Sequence, residues 1–368
     1  MFGKKKVRYA VVGAGWFAQA AILPAFANSK SGKLVAIVSG DATKHEELGD
    51  RYGVPCYTYE EYDGLLASGA IDAVFIALPN AMHKEYTLRA ARHQIHILCE
   101  KPLAADAGEC LAMIDACHRA GVKLMTAYRL HFDPANLDAI ALIESGKIGE
   151  PRLFHGINCQ AVEDGNTRLD GDLKGGPLMD LGVYCINAAR YLFRDEPLEV
   201  SGFTASPPGE KFDEVPDMVT AMLRFPKDRL AVFSCGFGEA KVSELRVVGT
   251  TGDIRLDPAY SFQADVDSHW TNDRGETETK SYRERDQVGA EIEYFSDCIL
   301  DDHEPEPNGV EGWIDLTLID AIKRSIRSGR AETVGPFDPK PRPTPDMAFK
   351  LPKIKPPKLI HSESPTGK

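Results

Sequence analysis

The sequence has no run approaching the roughly 18 consecutive apolar residues of a membrane-spanning helix, which argues against a helical membrane protein. It also lacks paired cysteines. Cys56, Cys99, Cys110, Cys117, Cys159, Cys185, Cys235 and Cys298 are scattered, with no C-x-x-C spacing. That pattern excludes a disulfide scaffold, speaks against a structural zinc or other metal site, and fits reduced thiols in a cytoplasmic core. Positive charge is in deficit, with 43 Lys plus Arg against 55 Asp plus Glu and a net charge of −12. This argues against nucleic acid or an anionic membrane as partner and leaves small molecules. No internal repeat is visible. What remains is a chain of 368 residues, 43% hydrophobic and 27% charged, too apolar for disorder and too long for one core, so two domains are expected.

The start imitates a signal peptide, because Lys4, Lys5 and Lys6 precede an apolar stretch ending in Ala25-Phe26-Ala27. The same stretch carries Gly13, Gly15 and Ala18 at fixed spacing after a β-branched run. A cleaved leader does not require that spacing, so the segment reads as mature sequence.

From Val7 to Arg129 short apolar runs alternate with amphipathic stretches, the pattern of a doubly wound parallel sheet covered by helices. Strands are predicted at Val7–Val12, Leu34–Ser39, Ala73–Leu78, His96–Glu100 and Lys123–Arg129. Beyond a helix over Pro134–Ser145, strands at Leu153–Cys159, Glu199–Thr204, Met218–Phe225, Leu230–Gly236, Leu245–Val248 and Asp253–Leu256 follow one another through hairpin-like turns. Helices are predicted at Leu178–Phe193, Ala290–Leu300 and Val310–Arg327. The fold class is α/β plus α+β. A dinucleotide-binding domain is expected over 1–130, and a mainly antiparallel open-faced sheet domain over 131–335. A tail spans 336–368, with nine Pro in 33 residues and a charge of +4. It reads as a flexible extension or as an arm along an acidic neighbouring subunit.

The chemistry is carried by four segments. Gly13-Ala14-Gly15-Trp16-Phe17-Ala18 fits G-x-G-x-x-A in the first strand-to-helix turn, where glycines admit a pyrophosphate and the helix N-terminus supplies N–H donors. At the second strand tip Ser39-Gly40 followed by Lys44 favours the 2′-phosphate of NADP, whereas Asp41 is either turned to solvent or a ribose ligand that shifts preference to NAD. Leu78-Pro79-Asn80 and Glu100-Lys101-Pro102 end later strands, at the edge where ligands bind in such sheets. Gly175 and Gly176 precede a helix on which Asp180 and Tyr184, four residues apart, share a face.

These motifs resemble the glucose-fructose oxidoreductase, inositol dehydrogenase and rhizopine catabolism (Gfo/Idh/MocA) family from Val7 to about Arg330. Tyr184 stands where many members have His. With Ser39-Gly40-x-x-x-Lys44 and Tyr128-Arg129-x-His131-Phe132-Asp133-Pro134-x-Asn136, it is most similar to the glucose-fructose oxidoreductase branch. The resemblance implies NADP-dependent oxidation of a sugar or polyol, and a homodimer or homotetramer formed through the open-faced sheet. It adds His83, Arg129 and the strand-end residues to the cofactor set, and Arg129 and His131 to the sugar set. The branch's Pro-rich N-terminal arm, which helps hold the cofactor, has no counterpart before Val7. A phenol with a pKa of about 10 is a poor base at neutral pH unless a cation favours the tyrosinate. Lys101 would supply that charge to Tyr184, with Asp180 orienting the lysine or accepting from a sugar hydroxyl. Three readings stay open: a sugar oxidoreductase with retained cofactor, an ordinary aldose or dihydrodiol dehydrogenase, and a non-catalytic cofactor sensor.

Overall fold

Six short segments dominated by β-branched and apolar residues pair in parallel: β1 (Val7–Val12), β2 (Gly32–Val38), β3 (Cys56–Tyr57), β4 (Ala73–Ile76), β5 (His96–Glu100) and β6 (Leu124–Ala127). Their order is β3-β2-β1-β4-β5-β6 in the computed structural model, which describes residues 5–262, 264–283, 285–338 and 342–367. Lys4 of the leader-like start and residues 339–341 of the tail lie outside the described residues. All four residues of β4 are buried, as are Tyr9, Ala10, Val11 and Val12, because helices cover both faces of a parallel sheet. The helix Ala42–Tyr52 starts at Asp41, whose side chain accepts from the Lys44 amide, and ends at Gly53 in the left-handed region. Asp106 and Gly121 bracket the helix Ala107–Ala120 in the same way.

The second sheet contains β7 (Pro151–Cys159), β8 (Glu199–Ala205), β9 (Met218–Phe225), β10 (Arg229–Gly236), β11 (Val242–Gly249), β12 (Gly252–Asp257), β13 (Val266–Asn272), β14 (Thr277–Tyr282) and β15 (Glu332–Thr333). Their order is β14-β13-β12-β11-β7-β10-β9-β8-β15. β7 and β10 are parallel, and the remaining pairings are antiparallel. Along β9, Val219, Ala221, Leu223 and Phe225 are buried while Met218, Thr220, Met222 and Arg224 are exposed, so one face packs and the other is open. β13 and β14 were not expected from sequence. β14, Thr-Glu-Thr-Lys-Ser-Tyr, is held by its register with β13 and not by an apolar face.

The chain forms two units. The first gathers Met1–Arg129, Asp286–Trp313 and Lys350–Lys368, and the second Leu130–Arg285 and Ile314–Phe349. Asp286–Trp313 was expected in the second domain. It joins the first because the helix Gln287–Leu300 packs on β1 and β2. Tyr9 and Ser296 share a hydrogen bond of 2.9 Å, Ser29 donates to Glu293 at 2.7 Å, and a Cβ on Gly32 would sit 2.7 Å from Ile292. Residues from Lys350 on are likewise part of the first unit and not a separate tail. Seven cysteines are buried and Cys56 is half-buried, with no disulfide among them. Among the described residues no helix is long and apolar enough to cross a membrane.

Candidate functional site

In the first unit the glycine turn leaves β1 and closes against the exit of β4. Gly13 has φ +100°, and a Cβ there would lie 2.3 Å from the Ala77 carbonyl oxygen. Both facts require glycine. Its N–H donates to the Val38 carbonyl at 2.9 Å, tying the turn to β2. Gly15 is exposed, with open space where a side chain would stand. Ala18 is buried and opens a helix whose first turn, Ala18–Ile22, is π-helical. Trp16 and Phe17 flank the turn half-buried, their rings 6.2 Å apart. A backbone cradle from which side chains are excluded at Gly13 and absent at Gly15 fits a dinucleotide pyrophosphate.

At the tip of β2, Ser39 is buried, and its hydroxyl accepts from the Asp41 N–H at 3.3 Å. Lys44 is half-buried in the first turn of the following helix. Asp41, expected to face solvent or to bind a ribose, is held by two partners and is partly exposed. Its Oδ1 caps the helix, accepting from the Lys44 N–H at 3.1 Å, and its Oδ2 lies 3.1 Å from His361 Nδ1. The Lys44 amide, and after it His361, hold this carboxyl below its ordinary pKa. Gly40 approaches Tyr59, leaving 3.3 Å for a side chain.

Leu78, Pro79, Asn80, Glu100 and Lys101 are all half-buried at the carboxyl ends of β4 and β5. His83, expected to touch the cofactor, is fully buried. Its Nδ1 lies 3.0 Å from the Pro102 carbonyl and its Nε2 2.9 Å from the Leu78 carbonyl, so it joins the two strand exits and positions them. Burial pushes its pKa down. Arg129 is also buried and donates to Gln287. Near it lies Glu291, 1% exposed, whose pKa is driven well up by burial and then by the charge of Glu100, with Arg129 opposing. Sequence gave no sign of Glu291, because it reads as one acid on an amphipathic helix.

In the second unit Gly175 crosses the backbone of Arg168, leaving 2.2 Å between a would-be Cβ and the Arg168 carbonyl oxygen. Gly182 lies flat on β10, where a Cβ would meet Cys235 at 3.1 Å and Phe233 at 3.2 Å. The single helix expected over Leu178–Phe193 is a π-turn, Leu178–Gly182, followed by an α-helix, Val183–Phe193. Such π-turns are frequent at functional sites. Asp180 lies on the π-turn and accepts from Arg168 Nε at 2.8 Å. Arg168 was missed because it sits on a single 3-10 turn, Thr167–Leu169, twelve residues away and with no motif to mark it. Tyr184 is buried with its ring 6.2 Å from that of Tyr260.

His131 also departs from its expected place. It is fully buried, with Nε2 2.7 Å from Asn187 Oδ1. Asn187 donates to Asp315 at 3.0 Å, and Asp315 accepts from Arg190, which also binds Glu196. A histidine committed to that buried polar chain supports the core and is not placed to meet a sugar.

Residues 7–128 match the model of the oxidoreductase family with an NAD-binding Rossmann fold, and residues 137–255 match the GFO/IDH/MocA C-terminal domain. The chain is similar to the NADP(+) D-xylose 1-dehydrogenase of Haloarcula marismortui, with 35% identity over 325 residues, 86% of this chain and 90% of that protein. It is 30% identical to D-xylose 1-dehydrogenase (NADP(+)) 2 of Haloferax volcanii over 88% of this chain and 98% of that one. The crystal structure of aldose-aldose oxidoreductase from Caulobacter crescentus, complexed with glycerol, superposes with a TM-score of 0.86. It has 35% identity, and the match covers 90% of this chain and 100% of that one.

Proposed function

The chain belongs to the Gfo/Idh/MocA oxidoreductases, and from that premise we propose that it oxidises the C1 hydroxyl of an aldose with NADP. The observation that carries this reading is the Gly13 turn, closed to any side chain by φ +100° and by the Ala77 carbonyl, on the same sheet edge as Lys101. The NADP(+) dependence of the two xylose dehydrogenases agrees with Ser39 and Lys44 at the tip of β2.

The glycine turn and the following helix would hold the pyrophosphate, Ser39 and Lys44 the 2′-phosphate, and the exits of β4 and β5 the nicotinamide end. When bound, NADP supplies the hydride acceptor. Tyr184 takes the hydroxyl proton, a task open to a phenol when positive charge favours the tyrosinate, and Lys101 is the cation that the family resemblance implies for that task. Asp180, fixed by Arg168, accepts from a second sugar hydroxyl and orients the ring. Arg129 and His131 are left out of the sugar set because both are buried and engaged by other side chains.

Open-face residues of the second sheet support a homodimer or homotetramer. Phe203 is 77% exposed, and Met218, Met222, Leu230 and Leu153 are all exposed large apolar residues on the same sheet. Cysteines without disulfides fit a cytoplasmic setting.

The test is a screen of aldoses and polyols with NADP or NAD, read as reduced-nicotinamide absorbance. Reduction of NADP by one or more aldoses is expected. Reaction with polyols alone, or with none of the panel, would overturn the reading.

A further inference from the structure

The C-terminal segment is held by the dinucleotide-binding unit at four places. Asn28 Nδ2 donates to the Pro352 carbonyl at 2.8 Å, and Arg51 Nη1 to the Lys358 carbonyl at 2.8 Å. Ile360, 4% exposed, is bound on both sides of its backbone: its N–H donates to Gln19 Oε1 and its carbonyl accepts from Gln19 Nε2, each at 2.8 Å. The same Gln19 amide, fully buried, donates to the carbonyl of Ala14 at 3.0 Å, inside the glycine turn. His361 then lies beside Asp41. A Pro-rich strand with no ladder partner is thus fixed through its own backbone groups. At Ile360 and His361 it meets the helix after the glycine turn and the tip of β2, the two places that bracket the adenosine end of a dinucleotide in this fold.

An acid at the tip of β2 normally accepts from the ribose hydroxyls and repels a 2′-phosphate. Here neither oxygen of Asp41 is unengaged, since Oδ1 caps a helix and Oδ2 meets His361. Neutral imidazole holds the carboxylate with an Nδ1–H donor, and imidazolium adds opposing charge.

We propose that the segment from Lys350 is a strap completing the adenosine end of the cofactor site, and that His361 is a specificity residue that holds Asp41 away from the ribose and so admits NADP. The inference rests on the NADP reading above. It predicts that the strap orders the site from within one chain and that His361 and Asp41 act on cofactor choice as a pair.

The test is equilibrium binding of NADP and NAD to the whole 368-residue chain, followed by calorimetry. Wild type, His361→Ala, Asp41→Asn and the double variant are compared. His361→Ala should weaken NADP by at least about tenfold, the scale of one charge-assisted hydrogen bond, with little effect on NAD. In the double variant, where no acid remains to be restrained, the NADP affinity should return to within about threefold of wild type. Ile360→Pro, which removes the N–H bound by Gln19, should weaken both cofactors. An unchanged NADP-to-NAD ratio in His361→Ala, or no recovery in the double variant, would overturn the role of His361. Wild-type preference for NAD would instead overturn the NADP reading itself, and the inference with it.

Discussion

Arg168 Nε stands 2.8 Å from Asp180 Oδ2, a pair between the 3-10 turn Thr167–Leu169 and the π-turn Leu178–Gly182. The arginine is 26% exposed and the aspartate 18%, so the bond is partly shielded and fixes the carboxylate in direction. Arg168→Met should free Asp180 to rotate. If Asp180 orients the sugar, KM for the aldose should rise by roughly tenfold, with NADP affinity unchanged. An equal fall in kcat with KM constant would place the pair in the chemical step instead.

The open sheet face predicts the state of assembly. Phe203→Asp puts a charge at the most exposed residue of the apolar face, on β8, and Met222→Asp puts one on the adjacent strand β9. Either change should reduce the mass in solution from that of a dimer or tetramer towards that of one chain, as measured by light scattering. A wild type already of single-chain mass would contradict the assembly.

Glu291 predicts a pH dependence of stability. Its folded pKa lies well above that of the unfolded chain, roughly 4.3, because burial and Glu100 disfavour the charge. The folded state therefore keeps a proton that the unfolded state releases above that pH. The stability this proton carries is full below the unfolded pKa and is lost as pH rises through the folded one. Thermal melting at a series of pH values should show wild type losing more stability than Glu291→Gln as the pH rises above the ordinary glutamate pKa of about 4.3. Parallel curves would contradict a buried, protonated Glu291.

Much of the first unit was legible because its strands are continuous apolar runs and its loops carry special residues. Val7–Val12 and His96–Glu100 have the predicted bounds, and Gly13 needs its glycine because its φ is +100° and the Ala77 carbonyl lies where a Cβ would stand. What escaped was set by tertiary partners. β13 and β14 are polar and are ordered by pairing, which leaves no periodicity to read. His83 and His131 have the residue type of functional groups, but burial and fixed partners give them supporting roles. Asp41 was ambiguous from sequence because its partner, His361, is 320 residues away. The strap was read as a tail because proline-rich composition reports the absence of a core and says nothing of a docking surface.

Tyr184 is proposed as the base in oxidation of an aldose by NADP. This role is tested most directly by the initial rate of NADP reduction with D-xylose and the other aldoses, in wild type and in Tyr184→Phe, which removes only the phenol oxygen. Tyr184→Phe should fold, bind NADP as wild type does, and lose turnover by roughly 10²–10⁴-fold, the contribution of a positioned acid or base. Turnover within a few-fold of wild type in Tyr184→Phe would contradict it.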